Sequence, residues 1–582
     1  QLTPWVPVLK YQNMRARVST SSIETIANFP DVVWIDAFVA PELMDEKQAQ
    51  ILAGNLNSKQ TKPAGPGYLD WLRDRGFSDD PLNYPIIDIT DDGIGSGIAK
   101  TAAGDSTFRV AGDPNLESRI AYLADCTKNN DPGGPDGHGH LNASIAGGYD
   151  SRSGAPYHDS LGFQRGTGVN PFGRIAGTRV FDGLAFDQSN CGSSYVSMVQ
   201  QSYQAGARIV SNSWICPSCT SYNAASQAYD AAVRDADSSV PGNQEILILF
   251  SAGNSGSEGR VPSPANGKNV IAVGASENVR PTWTDACGYS PDNSDNLQDI
   301  ARYSSRGPAP GGRVKPDLVA PGTNITGTAS TSPVYNGTGN CHPYYPDNQQ
   351  IFTVSSGTSH SAPAVAGLAS LASFWLSENH GIENPSPALL KAYLVVNSNY
   401  LSGDGANDNL PSNSQGFGLP NMTRAFNNIS RIIVEQGQPP QFNETGQTWS
   451  LWVRPVDKEL PVRMVMAFSD QPGLLSVEDP RVNLLNLEVV KKGQTYLGNN
   501  LDGEWSRAGG EADQNNNIEA VYLQPDEAVT IEVTVRATNI GGDGVPDNGD
   551  ATDQDFVLIC ENCEYDRIET YTNHMYFPIF VP

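Results

Sequence analysis

Nowhere in the 582 residues does an apolar run approach 18, so no membrane-spanning helix is predicted. Basic residues are scarce, with 37 Lys and Arg against 64 Asp and Glu and a formal charge of −27. Such acidity repels polyanions, so neither nucleic acid nor an anionic membrane is an expected partner. Cysteine is limited to eight residues, an even set of the kind that pairs in secreted chains. Cys216-Pro-Ser-Cys219 and Cys560-Glu-Asn-Cys563 are expected to close as local disulfides. Cys126, Cys191, Cys287 and Cys341 complete the set. A four-thiolate zinc site is the alternative reading of the two close pairs. The chain does not open on a signal peptide, and a processed, extracellular form beginning at Gln1 is expected over a cytosolic one. The length exceeds one core and implies two or three domains.

The chain is rich in small residues at telling places. Ser361 to Leu376 carries almost no charge and reads as a helix buried on nearly every face. Pro363 is expected in its first turn. Ser359 would then stand at the positive end of the helix, beside unpaired N–H groups able to hold an oxyanion. A serine there is ordinarily a cap; a nucleophile also needs a base and an orienting carboxylate. Gly137-His138-Gly139-His140-Leu141-Asn142 supplies histidine at the mouth of a second small-residue helix. The apolar strand from Tyr84 runs into Thr90-Asp91-Asp92-Gly93. Its carboxylates therefore fall at a strand's C-terminal end, where open α/β sheets place their sites. The order along the chain is Asp, His, Ser, as in subtilisin.

Asp91-Asp92-Gly93 and Gly357-Thr358-Ser359-His360-Ser361-Ala362-Pro363 resemble blocks of the subtilisin-like serine peptidases. So do Ser251-Ala252-Gly253-Asn254-Ser255-Gly256, Tyr303 to Pro308 and Lys315 to Gly322. The resemblance implies a parallel sheet flanked by helices, with Asp91, His138 and Ser359 catalytic. Asn254 and the Ser359 N–H would form the oxyanion hole. His138 is preferred over His140 because it keeps a glycine on each side, and residues two apart on a helix face differently. Asp92 reads as a turn residue, and Asp88 in an apolar strand has no evident role. Most relatives carry methionine at position 360, the oxidative weak point of such sites, so His360 predicts tolerance of peroxide. Ser211-Asn212-Ser213-Trp214-Ile215 resembles the strand that pairs with substrate backbone. Ile215 replaces a common glycine and leaves the specificity pocket open.

The implied function is a secreted serine endopeptidase of broad specificity acting on proteins or peptides, with no cofactor for catalysis and a monomeric chain favoured. A kexin-like processing protease and a silent protein-binding homologue are the alternatives. Residues 1–67 resemble the latter half of a propeptide plus a linker over Ser58–Gly67. In that segment Ala16–Thr20 and Asp31–Asp36 are expected as strands and Ser21–Asn28 as a capped helix. Residues 68–428 form the expected catalytic domain. Residues 429–582 alternate as β-strands and resemble the jelly-roll, or sandwich, domain of the KP-43-type subgroup. Asp543, Asp547 and Asp550 are candidate ligands of structural calcium, with a solvated acidic loop as the alternative. Sequons at Asn142, Asn324, Asn336, Asn421, Asn428 and Asn443 permit glycosylation, though Asn142 is expected to be buried.

Overall fold

Apolar runs without alternation make the centre of the molecule. In Ile246–Phe250 alternate residues enter two different cores: Leu247 and Leu249 face one, Ile246, Ile248 and Phe250 the other. A strand buried on both faces has no polar side to present, which is the pattern of a parallel sheet between helix layers. The computed structural model describes residues 6–8, 11–13, 17–32, 46–99, 106–159, 161–192, 194–280, 288–475 and 477–567. Contacts divide the chain into two compact units, Gln1–Glu42 and Leu43–Pro582.

Seven strands form the sheet of the larger unit: β1 Ile86–Asp91, β2 Ile120–Asp125, β3 Ile175–Arg179, β4 Ala207–Asn212, β5 Leu247–Ser251, β6 Ile271–Ser276 and β7 Leu318–Pro321. Their order is β7-β6-β5-β4-β1-β3-β2, and every pairing is parallel. β1 is therefore an interior strand, between β3 and β4. Seven helices matter here: α1 Glu46–Ala53, α2 Tyr68–Arg73, α3 His138–Gly147, α4 Tyr195–Gln204, α5 Ala224–Arg234, α6 Thr358–His380 and α7 Pro387–Val396. α3, α6 and α7 pack with one face of the sheet; α4 and α5 cover the other.

α6 is buried from Thr358 through Leu376 except at Ser359. Its small residues let α3 lie close, and its leucines fill the core. Leu371→Ala there would cost about 2 to 5 kcal/mol. Pro363 is not in the first turn as expected. The helix begins at Thr358, so Pro363 is its sixth residue. Its missing N–H leaves the carbonyl four residues back, that of Ser359, without the usual helical donor.

The C-terminal region is all β. β8 Arg431–Val434, β9 Thr448–Pro455, β10 Val462–Ala467, β11 Leu484–Lys491, β12 Gln494–Asp502, β13 Trp505–Ala508, β14 Ile518–Leu523, β15 Ile531–Asn539, β16 Val557–Glu561 and β17 Cys563–Arg567 make two antiparallel sheets. Their orders are β8-β16-β10-β14 and β13-β12-β11-β15-β9-β17. Val462, Met464 and Met466 of β10 face a core shared by both sheets, while Val465 and Ala467 face the main core. Period-two alternation thus serves two interfaces at once. Charged pairs also tie the β region to the parallel-sheet layers: Lys268 Nζ lies 2.6 Å from Asp470 and Arg234 2.6 Å from Asp555, all four buried.

The two close cysteine pairs, Cys216–Cys219 and Cys560–Cys563, are disulfides, and so is Cys126–Cys191. Oxidised sulfur cannot supply zinc thiolates. Cys341 is bonded as well, and Cys287 lies outside the described residues. The N-terminal expectations are corrected in part. Ile23–Ala27 is helical, but Ser22 makes no side-chain cap, because Ser19 Oγ bonds the Ser21 and Ser22 hydroxyls instead. Arg17–Ser19 is not a strand, for no neighbouring strand among the described residues takes its ladder bonds. The described strands are Val6–Val8 and Tyr11–Asn13, an antiparallel pair. Ala16 and Val33–Asp36 lie outside the described residues. The expected linker Ser58–Gly67 belongs to the larger unit, where α1 is wholly buried.

Candidate active site

Asp91 ends β1, at the carboxyl end of that interior strand, and His138 opens α3. The ring Nδ1 lies 2.8 Å from Asp91 Oδ1, and the side chain keeps 23% exposure. Asp92 is more than the expected turn residue. Its oxygens accept from the backbone N–H groups of His138 at 3.2 Å and Gly139 at 2.5 Å. A carboxylate thus satisfies two orphan donors at the positive end of α3 and fixes the helix that carries the imidazole. Gly139 permits this approach, since a Cβ there would sit 2.8 Å from Asp92 Oδ1 and 2.9 Å from the Asp91 Cβ.

Burial disfavours the imidazolium of His138. The charge and hydrogen bond of Asp91, with the charge of Asp92, outweigh it and raise the group to about 9. Burial, with the like charge of Asp91, pushes Asp92 up to about 7 against the pull of His138. His140 faces elsewhere. Its Nε2 lies 3.1 Å from Thr328 Oγ1, and its ring packs edge-on against Phe108.

Ser359 is the second residue of α6. Its Oγ donates to the Ser213 carbonyl at 3.2 Å, and Ser213 Oγ donates to the Ser359 carbonyl at 2.6 Å. The second bond uses the acceptor that Pro363 leaves free. Among the described contacts no hydrogen bond joins Ser359 Oγ to His138. Asn254, in the loop after β5, is exposed. Its Oδ1 accepts from the Thr358 N–H at 2.9 Å and the Thr358 hydroxyl at 2.8 Å. Two donors on one oxygen fix the amide orientation and leave Nδ2 pointing away. A Cβ on Gly357 would lie 3.3 Å from that Nδ2 and 3.6 Å from the Ser359 nitrogen. The two donors therefore flank one small space that glycine keeps open.

A model of the Subtilase family matches residues 83–418. The chain belongs to the subtilase family.

It is 28% identical over 363 residues to the serine protease/ABC transporter B family protein tagD of Dictyostelium discoideum, covering 50% of this chain and 19% of that protein. With tagB of the same organism, of the same description, it shares 23% over 519 residues, or 66% of this chain and 27% of that protein. The serine protease AprX of Bacillus subtilis is 33% identical over 127 residues, 22% of this chain and 25% of that protein. The chain thus spans a minor part of each of these relatives.

Several family blocks of this subtilase have a visible physical purpose. Ser305 Oγ accepts from the Ser255 N–H at 3.1 Å, and the Ser305 N–H donates to Gly253, bracing the loop of Asn254. Asp317 holds two buried lysines, Lys315 at 2.6 Å and Lys391 at 2.8 Å. Asp88, unexplained by the sequence, accepts from Thr178 Oγ1 at 2.7 Å and Ser202 Oγ at 2.5 Å inside the sheet, where burial raises its pKa.

The expected substrate strand is narrower than read. Ser211 and Asn212 are paired to β1 on one side and β5 on the other, so their backbone is spent in the sheet. Only Ser213, Trp214 and Ile215 lie past the sheet's edge. Trp214 is anchored by its Nε1–H to the Thr90 carbonyl at 3.1 Å. Asp543, Asp547 and Asp550 do not converge. Asp553 fills their loop instead, taking the Val545 N–H at 2.9 Å and the Asn548 amide. The acidic group whose ligand atoms do lie within 4.8 Å of one another, among the described residues, is Glu277, Asp295 and Asp299. The carboxylates of Asp543, Asp547 and Asp550 are not gathered within that distance of one another.

One residue at the centre escaped sequence reasoning. Asn142 Nδ2 donates to Asp91 Oδ2 at 3.0 Å. Its position four residues after His138, one helical turn on, was the available signal.

Proposed function

We propose that this subtilase is a secreted serine endopeptidase of broad specificity, with Asp91, His138 and Ser359 as its catalytic triad. Two observations carry the reading: Asp91 on His138 Nδ1, and Asn254 Nδ2 and the Ser359 N–H on either side of the space that Gly357 leaves. His138 Nε2 takes the Ser359 proton as the hydroxyl attacks a peptide carbonyl, then returns it to the leaving amine. Asp91 holds the Nδ1–H tautomer and steadies the imidazolium. Asn254 Nδ2 and the Ser359 N–H receive the oxyanion in the space that Gly357 leaves.

Backbone pairing with Ser213–Ile215 gives affinity with little side-chain demand, which suits a broad substrate range. The kexin-like alternative has less behind it. Asp92 is buried under α3 with both oxygens on backbone N–H groups, so it offers nothing to a basic substrate. The C-terminal sandwich, related in our reading to the KP-43 subgroup, stiffens the catalytic layers through the buried Lys268–Asp470 and Arg234–Asp555 pairs. Disulfides suit an oxidising, extracellular setting. Asn336, Asn428 and Asn443 are the exposed sequons open to glycans, whereas Asn142 is buried as expected.

Cleavage of an unbiased peptide library by the wild type and by Ser359→Ala tests the proposal. Hydrolysis at many sites, lost in the variant, supports it. Cleavage confined to paired basic sites would replace it with the processing reading, and no cleavage by a folded sample would refute it.

A further inference from the structure

Below the triad lies a polar chain that does not reach solvent. His360 Nδ1 is 2.9 Å from Asn142 Oδ1, and Asn142 Nδ2 is 3.0 Å from Asp91 Oδ2. Asn142 is 0% exposed and His360 1%, so neither can touch a substrate. Asn142 Nδ2 also lies 3.3 Å from His138 Nδ1. That nitrogen already gives its proton to Asp91, so it cannot accept a second one; both N–H groups converge on the carboxylate. Asp91 then has three donors: His138 Nδ1 and the Asp92 N–H on Oδ1, each at 2.8 Å, and Asn142 on Oδ2.

An asparagine amide is nearly symmetric in shape, and reversed it would aim its oxygen at Asp91 Oδ2, anion against dipole. The Asp91 carboxylate, which only accepts, and a proton on His360 Nδ1 hold the amide the same way round from its two ends. The His360 proton must be met by the amide oxygen, which turns the NH2 toward Asp91. Gln48 of α1 holds His360 in turn, its Nε2 donating to the His360 carbonyl at 3.0 Å and to the Pro321 carbonyl at 2.8 Å. Methionine, common among relatives at this position, has no proton to give.

We propose that Asn142 and His360 are a paired positioning device: His360 Nδ1–H orients the Asn142 amide, and the amide fixes the second oxygen of Asp91 against His138. This rests on the triad reading above. It implies that the two residues govern kcat through the base and leave KM alone. Misplacing a catalytic group by about an ångström can cost about 100-fold in rate.

The test uses the full chain, with each variant normalised to sites labelled by a fluorophosphonate. Asn142→Leu removes the donor at similar size, His360→Met removes the orienting proton, and His360→Gln restores an N–H. The expected result is a kcat loss of about 10- to 100-fold in Asn142→Leu and His360→Met, with KM within about twofold. The acid limb of kcat/KM should move upward, because Asp91 with one donor fewer holds the imidazolium proton more tightly. His360→Gln should recover most of the loss. A purely structural role would lower the number of labelled sites and leave kcat per site and the limb unchanged. That outcome in either variant overturns the proposal, as does a His360→Gln no better than His360→Met. A wild type that neither labels nor cleaves would instead fail the triad reading, and this inference would fall with it.

Discussion

The Ser359 carbonyl accepts from Ser213 Oγ at 2.6 Å, a bond open to it because Pro363 has no N–H to donate. A proline in the second turn of a buried helix would ordinarily be a defect. Here it frees an acceptor that ties the end of β4 to the residue proposed as nucleophile. Ser213→Ala should leave that carbonyl unsatisfied and cost about 1 to 3 kcal/mol, read as a lower unfolding free energy in urea. A variant as stable as wild type would show that the clasp does not hold the helix.

Asp92 contributes, after Asp91, to the pH range expected of the proposed base. As the proposed base, His138 must be neutral to accept a proton, so activity should fall as pH drops through its titration. Burial lowers that pKa; Asp91, and then Asp92, raise it to about 9. Asp92→Asn removes one raising charge, so the acid limb of kcat/KM should move to lower pH. Asp92 itself titrates near 7, and the wild-type limb therefore belongs to the coupled groups together. A limb that stays in place in Asp92→Asn would contradict this assignment.

The proposed oxyanion cradle should be sensitive from both sides. Asn254→Ala is expected to lower kcat by about 100- to 1,000-fold with little change in KM, the loss seen when the matching donor is removed from a subtilisin. Gly357→Ala should also be severely impaired, since its Cβ would stand 3.3 Å from Asn254 Nδ2, in the space meant for the oxyanion. Full activity in Gly357→Ala would place the oxyanion elsewhere.

His360 also bears on oxidation. The wild type should keep its activity in dilute peroxide, while His360→Met loses a larger share of its own starting rate as the thioether becomes a sulfoxide. Equal inactivation of both would locate the sensitive group away from position 360.

Much of this was legible because the determinants are local. The unbroken apolar runs at Ile246–Phe250 and Ser361–Leu376 specify a doubly covered strand and a buried helix. The blocks at Asp91, His138, Asn254 and Ser359 each sit at the end of such an element. What escaped depends on partners distant in sequence. Asp92 looked like a turn residue because the N–H groups it accepts belong to His138 and Gly139. Asn142 looked like a buried sequon because neither Asp91 nor His360 is near it along the chain. Ser211 and Asn212 read as part of the substrate strand, yet pairing with β1 and β5 consumes their backbone. The acidic loop at 543–550 gathers charge in sequence but not in space, where Asp553 closes it.

The most direct test of the central claim is labelling of the intact protein by a fluorophosphonate, with the modified residue located by peptide mass analysis. The account predicts label on Ser359 alone, abolished in Ser359→Ala and strongly slowed in His138→Ala. A folded sample that takes no label, or takes it on another serine, would contradict it.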